Sequence, residues 1–261
     1  MLDALKPHGA LEFLKIHSYK GTGFSTWVKS LSFLQRLTEI QLNDCIFYEE
    51  FPQFGQFKAL EVLVLKRLNK LRSLCGHSSS ASFPALRDLT LENLEILERW
   101  VGTEGEAITC PLLENVQIKN CPKLITLPEA PKPKVMNLAE SKAQLSISIF
   151  RSRYMSYLCE LFVSVSDTKA IPSQKLDQDC EISISVLVLS GCNFLFTSSP
   201  LQPTVGVWKW FRQLVDLRIE SCDTLICWPE EEFRSLVSLK HFSVNKCNKL
   251  IGPTKVKGYH T

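Results

Sequence analysis

Apolar residues recur along this chain in one spacing. An apolar residue is followed by two variable positions, a second apolar residue, one variable position and a third; two more variable positions then lead to a small residue. Leu37, Ile40, Leu42 and Cys45 follow it, as do Leu113, Val116, Ile118 and Cys121. Leu214, Leu217, Ile219 and Cys222 repeat it, and so do Leu239, Phe242, Val244 and Cys247. The second and third apolar positions flank one polar position, which is the period of a strand with one buried face. Taking the third position as a marker gives Ile16, Leu42, Leu65, Leu91 and Ile118, then Val163, Leu189, Ile219 and Val244. The gap between Ile118 and Val163 suits two units, and Val135-Met136-Asn137-Leu138 supplies the missing strand. About ten strands are predicted, one per unit.

The stretch after each strand repeats too. Cys121, Cys192, Cys222 and Cys247 are each followed three residues later by Leu124, Leu195, Leu225 and Leu250, and Leu68/Leu71 and Leu94/Leu97 fill the same two slots. Units of ~20–29 residues written L-x-x-L-x-L-x-x-(N/C) are leucine-rich repeats. The expected fold class is therefore α/β: a horseshoe solenoid with one parallel, concave β-sheet. One strand cannot bury its own apolar side; stacked strands share a continuous core. The return segments carry many prolines, among them Pro52, Pro84, Pro111, Pro128 and Pro203, so irregular or short-helical convex segments are expected. Residues 230–239 are the best candidate for a brief helix. A single leucine-rich-repeat domain is expected over 1–261, regular over 1–133, degenerate over 134–180 and regular again over 181–261.

Composition narrows the function. A net charge of +3, with no cluster of basic residues, argues against nucleic acid. No apolar run reaches the ~18 residues of a membrane-spanning helix, and residues 1–30 lack the apolar core of a signal peptide. Five of the ten cysteines (Cys45, Cys121, Cys192, Cys222 and Cys247) occupy one repeat slot, where free cysteine behaves as a small buried hydrophobe. Cys75, Cys110, Cys159, Cys180 and Cys227 show neither C-x-x-C nor zinc spacing. None of the asparagines begins a glycosylation acceptor site. A reduced, cytoplasmic or nucleo-cytoplasmic protein is expected. The sequence contains no G-x-S-x-G, H-E-x-x-H or phosphate-binding loop, and its histidines scatter over different units. No enzymatic activity, cofactor or metal is expected.

Binding is the natural work of a solenoid, and the outward residues between the leucines are where it would occur. The candidate protein-binding residues are Lys15, His17, Gln41, Lys66, Glu92, Lys119, Phe162, Asp216, Arg218, Glu220 and His241. Phe162 and Val188, beside Ser164 and Ser190, predict a less polar stretch in units seven and eight. The tryptophans fall in return segments, where packing is the expected role; Trp208 and Trp210 are the best candidates for aromatic anchors to a partner.

Several phrases resemble the leucine-rich-repeat region of plant intracellular NB-LRR immune receptors. Leu5-Lys-Pro-His8 followed by Leu11-x-x-Leu14-x-Ile16-x-x-Tyr19-x-Gly21-x-x-Phe24-x-x-Trp27 looks like one block of that family, with Ser25 where proline is usual. The stretch 51–60, Leu97-Glu98-Arg99-Trp100, Cys121 to Pro128 and Trp228 to Leu236 are similar to further family phrases. The resemblance implies a role in plant defence, sensing a pathogen effector or a guarded host protein. It also implies contact with the receptor's own nucleotide-binding module, which the repeat region holds inactive. That module and the N-terminal signalling domain are missing from the sequence, so a truncated receptor is expected. The alternative is the substrate-binding part of an F-box ubiquitin-ligase receptor, which would need an F-box upstream.

Overall fold

The structure is a computed structural model that describes residues 7–22, 34–48, 57–74, 83–98, 109–125, 127, 132–150, 152–166, 182–196, 207–226 and 233–251. Ten strands form one sheet in sequence order: β1 (Phe13–His17), β2 (Glu39–Asn43), β3 (Val62–Lys66), β4 (Asp88–Glu92), β5 (Asn115–Lys119), β6 (Val135–Ser141), β7 (Glu160–Val165), β8 (Val186–Ser190), β9 (Asp216–Glu220) and β10 (His241–Asn245). Every neighbouring pair is parallel, as a chain that always returns the same way must produce. Each marker residue falls fourth in its strand, and all ten stand opposite one another from Ile16 to Val244. The chain is a leucine-rich-repeat solenoid.

Alternation explains the burial. In β3, Leu63 and Leu65 are fully buried while Val62, Val64 and Lys66 are half-buried on the other face. The same pattern runs from β2 to β9. Tight turns at both ends of each strand bring further apolar residues beneath the sheet. Before the strand, Leu37, Leu60, Leu86, Leu113 and Leu214 donate their N–H groups to the carbonyls of Leu34, Phe57, Phe83, Cys110 and Phe211, three residues earlier. After it, Leu71, Leu124, Leu195 and Leu225 do the same to Leu68, Cys121, Cys192 and Cys222. Both ends of every such turn are buried, which is why apolar residues recur three apart outside the strands.

Two backbone ladders bind unit to unit. At the strand entrance one carbonyl accepts two N–H groups from the next unit: Glu12 from Thr38 and Glu39, Thr38 from Glu61 and Val62, Glu61 from Arg87 and Asp88. At the exit the chain turns through a left-handed residue: Ser18, Asp44, Arg67, Asn93, Asn120, Glu140, Gly191, Ser221 and Lys246 all have φ between 48° and 63°. The N–H of this residue reaches the last carbonyl of the neighbouring strand, as from Ser18 to Asn43 and from Gly191 to Glu220, both 2.9 Å. The repeated cysteine completes the arrangement. Its thiol donates to the carbonyl two residues earlier in Cys45, Cys121, Cys192, Cys222 and Cys247, at 3.3–3.6 Å. The carbonyls of Asn43, Lys119, Glu220 and Asn245 thereby accept both a backbone N–H and a thiol. Of the other cysteines described, Cys110 is buried in the turn slot held elsewhere by Phe57 and Phe83, and Cys159 is exposed.

An α-helix, α1 (Ala143–Phe150), follows directly after β6. The sequence reading does not place it, because Leu145-Ser-Ile-Ser-Ile149 alternates with the period of a strand. Its buried residues, Ala143, Leu145, Ser146, Ile149 and Phe150, nonetheless line one helical face. The brief helix expected at 230–239 begins outside the described residues. Of its described part, Phe233 is helical and turns follow, with Leu236 N–H donating to Phe233 and Leu239 N–H to Leu236. Trp208 corrects the anchor reading: it is buried between the rings of Phe196, Phe211 and Phe233 at centroid distances of 5.9, 5.8 and 4.8 Å. Trp210 is half-buried against the same core. Trp27, Trp100, Trp228, Cys75, Cys180 and Cys227 lie outside the described residues.

Candidate functional site

The face of the sheet opposite the core consists of three columns of side chains, from the first, third and fifth position of every strand. Adjacent strands in a sheet lie ~4.8 Å apart, so side chains in a column are near neighbours. The first column reads Phe13, Glu39, Val62, Asp88, Asn115, Val135, Glu160, Val186, Asp216 and His241. The third reads Lys15, Gln41, Val64, Thr90, Gln117, Asn137, Phe162, Val188, Arg218 and Ser243, and the fifth His17, Asn43, Lys66, Glu92, Lys119, Ala139, Ser164, Ser190, Glu220 and Asn245.

All eleven sequence-predicted residues stand in these columns, but in separate groups. Lys15, His17, Gln41, Lys66, Glu92 and Lys119 share β1 to β5. Asp216, Arg218 and Glu220 share β9, with His241 opposite Asp216 on β10. Phe162 stands between the groups on β7. Two or more strand spacings, ~10 Å at least, separate it from either charged group.

The first group is tied together by ions. Lys66 Nζ lies 2.8 Å from Glu92 Oε2 across β3 and β4. This hydrogen bond, outweighing partial burial, holds the Glu92 carboxyl below its ordinary range, and the charges of Lys66, Lys119 and Arg67 add to it. Lys119 Nζ is 3.8 Å from Glu140, just past the register position of β6 beside it. Asp44 takes a two-pronged hydrogen bond from Arg67, one prong at 2.6 Å, and has His17 Nδ1 at 3.7 Å. The Arg67 guanidinium accordingly lowers the Asp44 pKa. On β9, Arg218 folds back onto Asp216 of its own strand at 2.7 and 3.2 Å.

Asp44, Arg67 and Glu140 escape the sequence reading. They occupy the left-handed turn residue, one place beyond the fifth column. The turn redirects their side chains toward that column, and a strict strand period does not foresee this. Glu160, in the first column of the same strand as Phe162, is likewise absent from the sequence-predicted set. Among the described residues no three histidine, cysteine, aspartate or glutamate side chains gather as a metal site would need. None of their helices is long and apolar enough to cross a membrane.

A family model described as R13L1/DRL21 LRRs matches residues 1–68. The putative disease resistance protein RGA4 of Solanum bulbocastanum is 29% identical over 157 residues, 57% of this chain and 16% of that protein. The putative disease resistance RPP13-like protein 1 of Arabidopsis thaliana is 29% identical over 142 residues, 49% of this chain and 13% of its own length. The probable disease resistance protein RF9 of the same plant is 34% identical over 227 residues. The repeats of this chain are thus similar to those of plant proteins named for disease resistance. The RF9 likeness runs over 85% of the chain but takes in only 18% of RF9 itself. The repeat region thus spans less than a fifth of each of these relatives. No solved structure matches the chain.

Proposed function

We propose that this chain is a non-enzymatic recognition module of plant innate immunity that binds a protein partner through the concave face of its sheet. The observation that carries the reading is the ten-strand parallel sheet, in register through the fourth position of every strand. It sets columns of side chains, polar and charged toward both ends, on the face opposite the core. Such a face recognises extended surfaces, and its side chains act by contact rather than by chemistry. The partner is a pathogen effector or a guarded host protein. In a full-length receptor the same face also contacts the nucleotide-binding module and contributes to holding it inactive. The compartment is the cytoplasm.

The binding residues are Lys15, His17, Gln41, Lys66, Glu92 and Lys119 in the first group, Phe162 in the middle, and Asp216, Arg218, Glu220 and His241 at the far end. Reversing charge in turn at Lys66, Lys119 and Arg218 tests this. Proteins retained from plant extract by the immobilised chain are quantified for each variant, and at least one variant is expected to lose partners held by the unaltered chain. An identical retained set for all three overturns the reading.

A further inference from the structure

The middle of the concave face differs from both ends. On β6 to β8 the first column presents Val135 and Val186 on either side of Glu160, and the third column places Phe162 directly opposite Val188. Ala139, Ser164 and Ser190 fill the fifth column there, so that column sets nothing long or charged beside the apolar side chains. Phe162 and Val188 are half-buried, whereas Asn137 and Arg218, which flank them in the third column, are exposed.

Charge sharpens the picture. The outward positions of β1 to β5 carry three lysines and three carboxylates, and several of these pair with one another or with turn residues. From β6 to β9 they carry Glu160, Asp216 and Glu220 against the single cation Arg218. Arg218 is committed to Asp216. Glu160 and Glu220 form no salt bridge among the described residues, and Glu160 stands beside the apolar window. A carboxylate next to apolar surface gains most from a cation that brings its own apolar neighbour and excludes water.

We propose that the β6–β9 face takes an extended peptide segment of the partner in which an apolar side chain is followed or preceded, two residues away, by lysine or arginine. The apolar side chain covers Phe162 and Val188, and the cation meets Glu160 or Glu220. The spacing follows from the strand: Glu160 and Phe162 are two positions apart on β7, ~6.6 Å, the separation of every second residue in an extended segment. This refines the concave-face reading and rests on it.

A library of random twelve-residue peptides displayed on phage, selected against the immobilised 261-residue chain, tests the proposal. Enrichment of apolar-x-Lys/Arg or Lys/Arg-x-apolar is expected. Recovery should fall by about tenfold or more with Phe162→Asp, as for loss of an interface anchor. The double variant Glu160→Lys/Glu220→Lys, on outward positions that leave the core intact, should instead enrich acidic partners of the apolar residue. No enrichment, enrichment without a basic residue, or equal recovery on Phe162→Asp overturns the proposal. If retention of plant proteins responds to Lys66, Lys119 or Arg218 reversal but not to Phe162→Asp, this inference fails while the broader reading stands. Indifference to all four sinks both.

Discussion

Replacing Gly191 with alanine should destabilise the protein far more than alanine at the equivalent residue of the next unit. Gly191 is the left-handed turn residue after β8, with φ of 63°. The equivalent residues elsewhere, Asn93 and Ser221 among them, hold φ of 54° and 51° with a Cβ in place, so the conformation alone does not demand glycine. The neighbour does. A Cβ on Gly191 would lie 2.7 Å from the carbonyl oxygen of Val165, a backbone atom held in β7. Left-handed backbone costs a side-chain-bearing residue ~1–2 kcal/mol, and forcing apart two packed strands adds ~1–3 kcal/mol. A loss of roughly 2–5 kcal/mol is expected for Gly191→Ala. Ser221→Ala keeps both backbone and Cβ, and should change stability by less than ~0.5 kcal/mol. Urea unfolding followed by far-ultraviolet circular dichroism reads both. A Gly191→Ala protein as stable as Ser221→Ala would refute the steric argument and leave the glycine unexplained.

Three further outcomes follow from the same geometry. Leu91→Ala, at a fully buried interior position, should cost ~2–5 kcal/mol, whereas Phe242→Ala should cost clearly less because Phe242 keeps 43% of its surface exposed at the β10 edge; a reversed order in denaturant unfolding would contradict the burial pattern. Lys66→Ala should raise the Glu92 carboxyl pKa measured by NMR, since the Lys66 hydrogen bond is the main influence lowering it. With the folded pKa below the ordinary value of 4.5, the pair's contribution to stability is present above that pH and lost as pH falls below it; an unmoved Glu92 titration would show the pair to be inconsequential. Alkylation at pH 8, mapped by mass spectrometry, should label Cys159 and Cys247 well before Cys45, Cys121, Cys192 and Cys222. Burial pushes the Cys121 thiol up to about 11 and Cys222 up to about 12, and it raises Cys45 and Cys192 too. These raised thiols favour the folded state below the usual cysteine pKa of 9.0, an advantage that disappears as pH climbs past it.

The repeat phrase was legible because its residues answer to one requirement, burial under a parallel sheet, at every turn of the solenoid. Leu42, Leu65, Leu91 and Ile118 could therefore be placed in register from spacing alone, and even Leu138 in the irregular unit fell opposite Ile118. The outward columns were legible as positions, since the strand period assigns them, but their pairing was not. Lys66 meets Glu92 within the fifth column, whereas Asp44 meets Arg67 one residue past it. Nothing in a period of two says where a left-handed turn will send a side chain. Helix α1 was hidden for a related reason, because serines on alternate positions imitate a strand while Ser146 is in fact buried and bonded to Ser141 at 3.0 Å.

The irregular unit ties these exceptions together. Where other units have Ser, Asp, Asn, Arg, Glu, Lys or Gly in the left-handed turn, the seventh has Val165, whose β-branched side chain disfavours that conformation. The strand continues instead, and β6 continues with it through Glu140 to Ser141, shifting register between Leu138 and Ser141. Ser141 stands in the cysteine slot, and its hydroxyl bonds to the carbonyl of Ser164 at 3.2 Å and to Ser146 of α1. The extended Val165 then presents its carbonyl to the next unit, which is why that unit has Gly191. The extended Val165 thus accompanies a register shift and a prolonged strand pair, and its carbonyl leaves room only for a glycine 26 residues later. The same strands carry the apolar window of Val135, Phe162, Val186 and Val188. If that window is where a partner sits, the departure from the repeat and the departure from a polar surface are one feature. Gly191→Ala should then weaken peptide capture at β6–β9 while leaving partners that depend on Lys66 unaffected, and equal loss of both would separate the two features again.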